Sequence, residues 1–115
     1  MEMKALINYF YMDGNNIKEK KDFYIKLDEF LGFNAYVEGS AQVPVLDVLW
    51  DVMTCGAGLN CVLYWQHSES SKKNLGIEYF NKIIDTLKEV ENYQIKQCEL
   101  YEQYKNDSPF KFYLE

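Results

Sequence analysis

The sequence contains no arginine. Its twelve basic residues are all lysine, and eighteen aspartate and glutamate residues bring the formal net charge at pH 7 to −6. Proteins that bind the phosphate backbone of nucleic acids need clustered basic residues, and they favour arginine because its guanidinium group binds phosphate through two parallel hydrogen bonds. The composition therefore argues strongly against direct nucleic-acid binding. If electrostatics select a partner for this chain, that partner is basic.

Signals for membrane insertion and secretion are also lacking. No apolar run approaches the length that a bilayer requires, and residues 1–14 show no long apolar region followed by a small-residue cleavage site. The three cysteines, Cys55, Cys61 and Cys98, are an odd number in a chain that can build an apolar core. We therefore expect free, buried thiols in a cytoplasmic protein that has no membrane partner.

Motifs for metals, cofactors and nucleophilic catalysis are missing as well. His67 is the single histidine, and its spacing from Cys55 and Cys61 matches none of the usual zinc motifs. The Gly-Ala-Gly segment at 56–58 lacks the further glycines and the lysine of a phosphate-binding loop. We expect His67 to face solvent, and we expect no metal, no cofactor and no catalytic residue.

The chain is rich in apolar and aromatic residues. Hydrophobic residues make up 48% of the 115 residues and aromatic residues 17%, which is enough for one buried core, so we expect a single domain over residues 1–115. The periodicity and the turn-forming residues predict strands at 4–11, 59–65 and 110–114, helices at 22–32, from Pro44 to the Gly56 region and from Asn74 to 90, a short helical turn at 68–73, and a loop at 33–43.

Strands that alternate with helical segments are typical of the α/β class. We predict a small fold of two or three layers, with a mostly parallel sheet of about three strands and helices packed on it, because a parallel crossover usually contains a helix. Each crossover should be right-handed. Residues 93–104 fit a helix or a strand equally well, which leaves an additional C-terminal hairpin open.

The predicted second helix has two distinct faces. At about 100° per residue, Asp47, Trp50, Asp51 and Thr54 fall on one side, and a complete apolar face lies opposite. An indole beside two carboxylates, on the polar side of a short helix, is typical of an interface anchor. The alternative is that Trp50 packs under a neighbouring loop, such as 33–43, and that the aspartates are merely solvated.

The same helix carries a family resemblance. Residues 46–54, LDVLWDVMT, resemble the signature helix of barstar-type ribonuclease inhibitors, in which an Asp is followed by Leu-Trp-Asp and then by a Thr three residues beyond. The surrounding landmarks are similar: a strand before a Gly turn, a first helix that ends near Leu31, a Tyr and a Gly in the loop before the signature, a strand that ends in Trp65, and Ser71-Lys72 soon after it. The resemblance covers residues 6–90.

The resemblance implies a barstar-like fold and an immunity protein that inhibits a basic microbial ribonuclease toxin by blocking its active-site cleft. Asp51 would take the place of an RNA phosphate, with Trp50 as packing at the contact. The full set of partner-binding residues that it implies is Asp51, Asp47, Trp50, Thr54, Tyr36, Cys55, Gly56 and Thr86.

Several residues depart from the family pattern. The family has glycine directly after the threonine, whereas Cys55 precedes Gly56 here, which alters the close backbone approach expected at that point. On the late helix Thr86 stands in register with an acidic contact of the family, and Asp85 and Glu89 lie nearby. These differences predict that the target is a diverged ribonuclease.

Two other functions stay open at this stage. A small hydrolase would use Asp47 and Asp51 as an acid and base pair, although a convex helix surface is a poor place to give two carboxylates different acidities. A regulatory domain would bind a basic protein other than a nuclease.

Overall fold

Within residues 5–31, 45–54 and 58–115, which the computed structural model describes, the chain forms three strands and four α-helices. Their order along the chain is β1 (Asn8–Asp13), α1 (Lys20–Leu31), α2 (Val45–Val52), β2 (Cys61–Gln66), α3 (Ser68–Leu75), α4 (Ile77–Leu100) and β3 (Lys111–Leu114). Short 3₁₀ turns follow β1 at Gly14–Asn16 and α4 at Glu102–Tyr104.

The three strands form one parallel sheet in the order β1-β2-β3. Phe10 of β1 lies beside Leu63 of β2, which lies beside Phe112 of β3. This confirms the predicted α/β class and the mostly parallel sheet of three strands. The C-terminal hairpin is not formed in the described part of the chain: residues 93–100 complete α4, and that helix is the crossover which lets β3 run parallel to β2.

One face of the sheet carries the core. Met12, Leu63 and Trp65 point to this face and are buried, and the described helices pack their apolar sides onto it, which makes two layers. The indole of Trp65 contacts two of these helices. Its ring centroid lies 5.0 Å from that of Phe23 in α1 and 5.2 Å from that of Phe80 in α4. Rigid aromatic packing of this kind gives the helices fixed positions on the sheet.

A buried hydrogen-bond chain ties the ends of the strands together. Trp65 Nε1 donates to Ser71 Oγ over 2.9 Å, and Ser71 Oγ donates to the carbonyl of Gly14 over 2.9 Å. A side chain at Gly14 would collide with the backbone carbonyls of Gln66 and His67, so this position requires glycine. The Trp65 and Ser71 landmarks of the sequence are therefore one structural unit.

Some predicted boundaries were wrong. The first strand begins at Asn8 instead of residue 4 and continues to Asp13. Asn74 does not cap the long helix, because α3 continues to Leu75 and Gly76, with φ of 87°, separates α3 from α4. The side chain of Asn74 instead donates to the carbonyl of Ile17. His67 is exposed, as predicted.

The described cysteines are free thiols. Cys61 is buried and Cys98 is half-buried, and Cys55 lies outside the described residues. Burial raises the pKa of Cys61 to about 12, so almost none of the reactive thiolate is present at neutral pH.

We expect a thiol reagent at pH 7.5 to modify Cys98 well before Cys61, which should react only when the protein unfolds. Desolvation and Asp107 also raise the pKa of Cys98, but its side chain is only half-buried. The physical reason is that the thiolate is the nucleophile, and at Cys61 both its formation and access to it are blocked. Mass spectrometry of the labelled peptides measures the two rates, and a Cys98→Ala variant should fold with the same denaturation midpoint with or without a reducing agent. Equal labelling rates at the two cysteines would contradict the burial of Cys61.

Candidate functional site

Helix α2 is anchored to the core by one side. Leu49 and Met53 are fully buried in the main hydrophobic cluster, and Leu46 packs against that cluster while half-buried. On the other side of the helix Asp51 is exposed. The two-faced helix that the sequence predicts is therefore present, and Asp51 lies on its solvent side.

Trp50 lies between these two sides. It is half-buried, and its ring centroid is 5.4 Å from that of Tyr93 in α4, in an edge-to-face arrangement with 65° between the planes. Aromatic pairs of this geometry stabilise by about 0.5–1.5 kcal/mol beyond the area that they bury. Trp50 is thus fastened to α4 and presents only part of its surface to a partner.

The hydroxyl of Thr54 completes the end of the helix. Thr54 Oγ1 donates to the carbonyl of Trp50 over 2.8 Å, and its Oγ1 lies 3.4 Å from the carbonyl oxygen of Asp51. The hydroxyl proton is therefore used within the helix, where the last carbonyls lack amide partners. Its oxygen lone pairs remain able to accept a hydrogen bond from another molecule.

A groove runs between α2 and α4 beside this end. The described residues that line its volume of about 340 Å³ are Leu46, Trp50, Asp51, Thr86 and Glu89. Two distant segments therefore meet here: Trp50 and Asp51 from the signature helix, and Thr86 from the late helix. The hydroxyl of Thr86 donates to the carbonyl of Lys82 over 2.8 Å, so its proton is used within α4.

The groove combines the apolar side chains of Leu46 and Trp50 with two acidic ones, Asp51 and Glu89. Asp51 and Glu89 are both exposed, and among the described residues neither carboxylate forms an ion pair with a lysine. Asp85 is exposed one turn before Glu89 on α4. Such a surface is complementary to a positively charged partner.

The described residues were also compared with the requirements of a metal site, a membrane span and a carboxyl pair. No group of three or more His, Cys, Asp or Glu residues is placed to hold a metal ion there. None of the described helices is long and apolar enough to cross a membrane. A hydrolase of the kind considered above would pair Asp51 with Asp47. Asp51 is exposed, which is a poor setting for a carboxyl that must differ in acidity from its partner, and the side chain of Asp47 lies outside the described residues.

The sequence was compared with models of known protein families. The family model for barstar, the barnase inhibitor, matches residues 7–115. The chain belongs to the barstar family. This match reaches beyond the landmarks at 6–90 that the sequence alone indicates and includes the end of α4 and strand β3. A comparison with curated proteins gives no match. Members of the barstar family are inhibitors that bind a ribonuclease and are not enzymes.

Not every residue that the barstar resemblance implies falls within the described structure. Tyr36, Cys55 and Gly56 lie outside the described residues. Asp47 belongs to α2, but its side chain also lies outside what is described. The implied residues that the structure does bring together are Trp50, Asp51 and Thr86 in the groove, with Thr54 at the adjoining helix end.

One residue that holds α2 against α4 beside the groove is absent from the sequence-based predictions. Gln94 of α4 is fully buried; its Nε2 donates to the carbonyl of Met53 over 2.7 Å, and its Oε1 accepts from the amide of Phe110 over 2.7 Å. Gln94 thus joins the end of α2 to α4 and to the residue before β3. A signal for it exists in the sequence, since Gln94 follows Leu87 and Val90 on the apolar stripe of the late helix.

Proposed function

We propose that this barstar-family chain is the cytoplasmic immunity protein of a basic microbial ribonuclease toxin, and that it blocks the active-site cleft of the enzyme with the α2–α4 groove. The observation that carries the proposal is the position of Asp51, an exposed carboxylate that has no ion pair with a described residue and follows Trp50, whose ring packs on Tyr93. A cleft that binds RNA is lined with cations, and a fixed carboxylate can occupy the place of a phosphate in that field.

The location of Asp51 within its helix supports a role in binding. It lies in the last turn of α2, where the negative end of the helix dipole disfavours a carboxylate by about 0.3–1 kcal/mol. No described lysine compensates for this cost with an ion pair. A residue that opposes the stability of its own helix is better explained by a contact with a partner than by folding.

The rigidity of the groove is the second support. Leu49 and Met53 are fully buried, the ring of Trp50 packs on Tyr93, and Gln94 holds the carbonyl of Met53. These contacts restrain α2 before any partner arrives. Binding then costs little conformational entropy at the central carboxylate, which increases affinity.

The direct test is inhibition of RNA hydrolysis. Barnase serves as one enzyme, any basic ribonuclease encoded by a gene adjacent to that of this chain serves as the other, and a fluorogenic oligoribonucleotide reports their activity. We expect stoichiometric inhibition at one inhibitor per enzyme for the neighbouring ribonuclease and weaker inhibition of barnase. Binding without inhibition would instead support a regulatory domain, and failure to bind either enzyme would overturn the proposal.

The acidic residues on α4 provide a graded prediction. Charge reversal by Glu89→Lys or Asp85→Lys should weaken ribonuclease binding less than Asp51→Ala does, because charges at the rim of an interface act mainly on the association rate. We expect about a three- to tenfold slower association for Glu89→Lys, and a smaller change for Asp85→Lys, which is not part of the groove lining. Stopped-flow mixing at low and high salt measures both rates. An equal increase in the dissociation rate for all three variants would mean that the interface lies elsewhere.

A further inference from the structure

The face of the sheet opposite the core is covered with tyrosine. The register places Tyr11, Tyr64 and Tyr113 side by side on the three strands. Their rings stack, with centroids 5.1 Å apart between Tyr11 and Tyr64 and 5.3 Å apart between Tyr64 and Tyr113. Tyr9 stands on the same face, two residues before Tyr11. We call this surface the tyrosine face.

This face is open in the described structure. Tyr9 is 55% exposed, Tyr11 58% and Tyr113 47%. The described helices supply their buried residues to the other face, around Leu63 and Trp65. Parallel sheets are almost always covered on both faces, and a continuous exposed aromatic surface marks an interaction site.

The charges at the two ends of the tyrosine face are opposite. Lys111 stands at the end where the strands begin, in register with Val62 and Tyr9. Asp13 and Glu115 stand at the end where the strands finish: Asp13 is paired with Gln66, and Glu115 donates its amide to the carbonyl of Trp65. Asp13 and Glu115 come two residues after Tyr11 and Tyr113 on the same strand face. The pKa of Tyr64 at the centre is raised by desolvation and by the neighbouring tyrosines, with a smaller contribution from the Glu115 carboxylate.

We propose that the tyrosine face is the interface of a homodimer, in which a second copy packs the same face against it about a twofold axis perpendicular to the strands. This rotation keeps each strand opposite its own equivalent and reverses its direction. The central row of tyrosines then meets the same row of the second copy. Lys111 of each copy lies opposite Glu115 of the other, and Tyr9 lies opposite Asp13. The Asp13 carboxylate accepts from the amide of Asn15 through Oδ1, so Oδ2 is the oxygen that can accept a hydrogen bond from the Tyr9 hydroxyl.

Symmetry makes this complementarity specific for a second copy. An interface with a twofold axis must be self-complementary, and a surface with a basic end, an aromatic centre and an acidic end meets that condition only when the strands are antiparallel. Lys111 forms no ion pair among the described residues, and within the same copy its charge acts on Glu91 of α4, where it partly offsets the rise in pKa that burial causes. The result is an aligned sandwich, with the two sheets about 10 Å apart.

The dimer should be weak and should leave the α2–α4 groove free. Three short strands offer less than the roughly 800 Å² per partner that a standard stable interface buries, so we expect a dissociation constant on the order of 100 μM. Helix α2 packs in the layer on the opposite side of the sheet. Each copy in the dimer can therefore present its groove to another molecule.

Sedimentation equilibrium on the purified chain, from about 5 μM to about 1 mM, tests the proposal. Lys111→Glu and Glu115→Lys should each raise the dimer dissociation constant by about tenfold, because each places two pairs of like charges in contact. The charge-swapped double variant Lys111→Glu/Glu115→Lys should return the constant to within about threefold of the unmodified protein. Lys96→Glu is the matched control, since Lys96 is an exposed residue of α4 and carries the same change of charge away from the sheet.

Three results would overturn the homodimer. The first is a protein that stays monomeric up to about 1 mM. The second is a loss of association with Lys96→Glu or Asp51→Ala as large as that with Lys111→Glu, since these residues lie outside the tyrosine face. The third is a double variant in which association is not restored.

Discussion

Replacement of Asp51 by alanine is expected to weaken ribonuclease binding by about 2–5 kcal/mol and to leave the stability of the free protein unchanged or raised by up to about 1 kcal/mol. In the complex the carboxylate would be desolvated against several cations of the enzyme, and its removal leaves those cations buried without a partner. In the free protein the same carboxylate is exposed, so alanine creates no cavity and no unpaired polar group.

The measurement for Asp51→Ala is a pair of experiments on one variant. Thermal unfolding reports the stability of the free protein, and titration calorimetry or inhibition kinetics report affinity for the ribonuclease. Glu99→Ala is the control, because Glu99 is also exposed but lies near the end of α4, away from the groove. Association of the unmodified protein should also slow as salt rises, since ions screen the field that steers an acidic surface to a basic cleft. Unchanged affinity in Asp51→Ala would exclude the phosphate-mimic role.

Replacement of Gln94 by methionine should destabilise the protein by about 2–4 kcal/mol. Methionine fills a similar volume but removes both hydrogen bonds, which leaves the carbonyl of Met53 and the amide of Phe110 without these partners in a buried place. The free energy of unfolding from a denaturant titration measures the loss. Gln97→Met on the same helix is the control, because Gln97 is only half-buried. A Gln94→Met variant as stable as the control would show that this bridge contributes nothing.

The variant Gln94→Glu adds a pH-dependent form of the same test. An ionised glutamate can still accept from Phe110, but it cannot donate to the Met53 carbonyl, so burial against that carbonyl should raise its pKa in the folded state. A group whose pKa is raised by folding stabilises below its unfolded pKa and loses that contribution as pH rises through the folded value. Gln94→Glu should therefore be closest to the unmodified protein at mildly acid pH and progressively less stable toward pH 8. A variant whose stability difference does not depend on pH would contradict the proposed hydrogen bonds.

Much of the fold follows from local patterns. Period-two and period-3.6 spacing of apolar residues predict the order of strands and helices, because each element needs one apolar side to bury. The two-faced character of α2 follows from the same rule, and the buried Leu49 and the exposed Asp51 agree with it. The family resemblance also rests on this helix, whose residues can be read without any knowledge of their neighbours.

The tertiary structure alone decided which residues meet. Residues 93–104 carry no decisive local period, and packing of Gln94 and Val90 against the core extended α4 to Leu100 instead of forming a hairpin. The contact of Trp50 with Tyr93 and the grouping of Asp51 with Thr86 join segments that are far apart in the chain. A helical period indicates the direction in which a side chain points, but it does not indicate which element lies in that direction. The groove and the open tyrosine face are therefore defined only by the packing of the helices on the sheet.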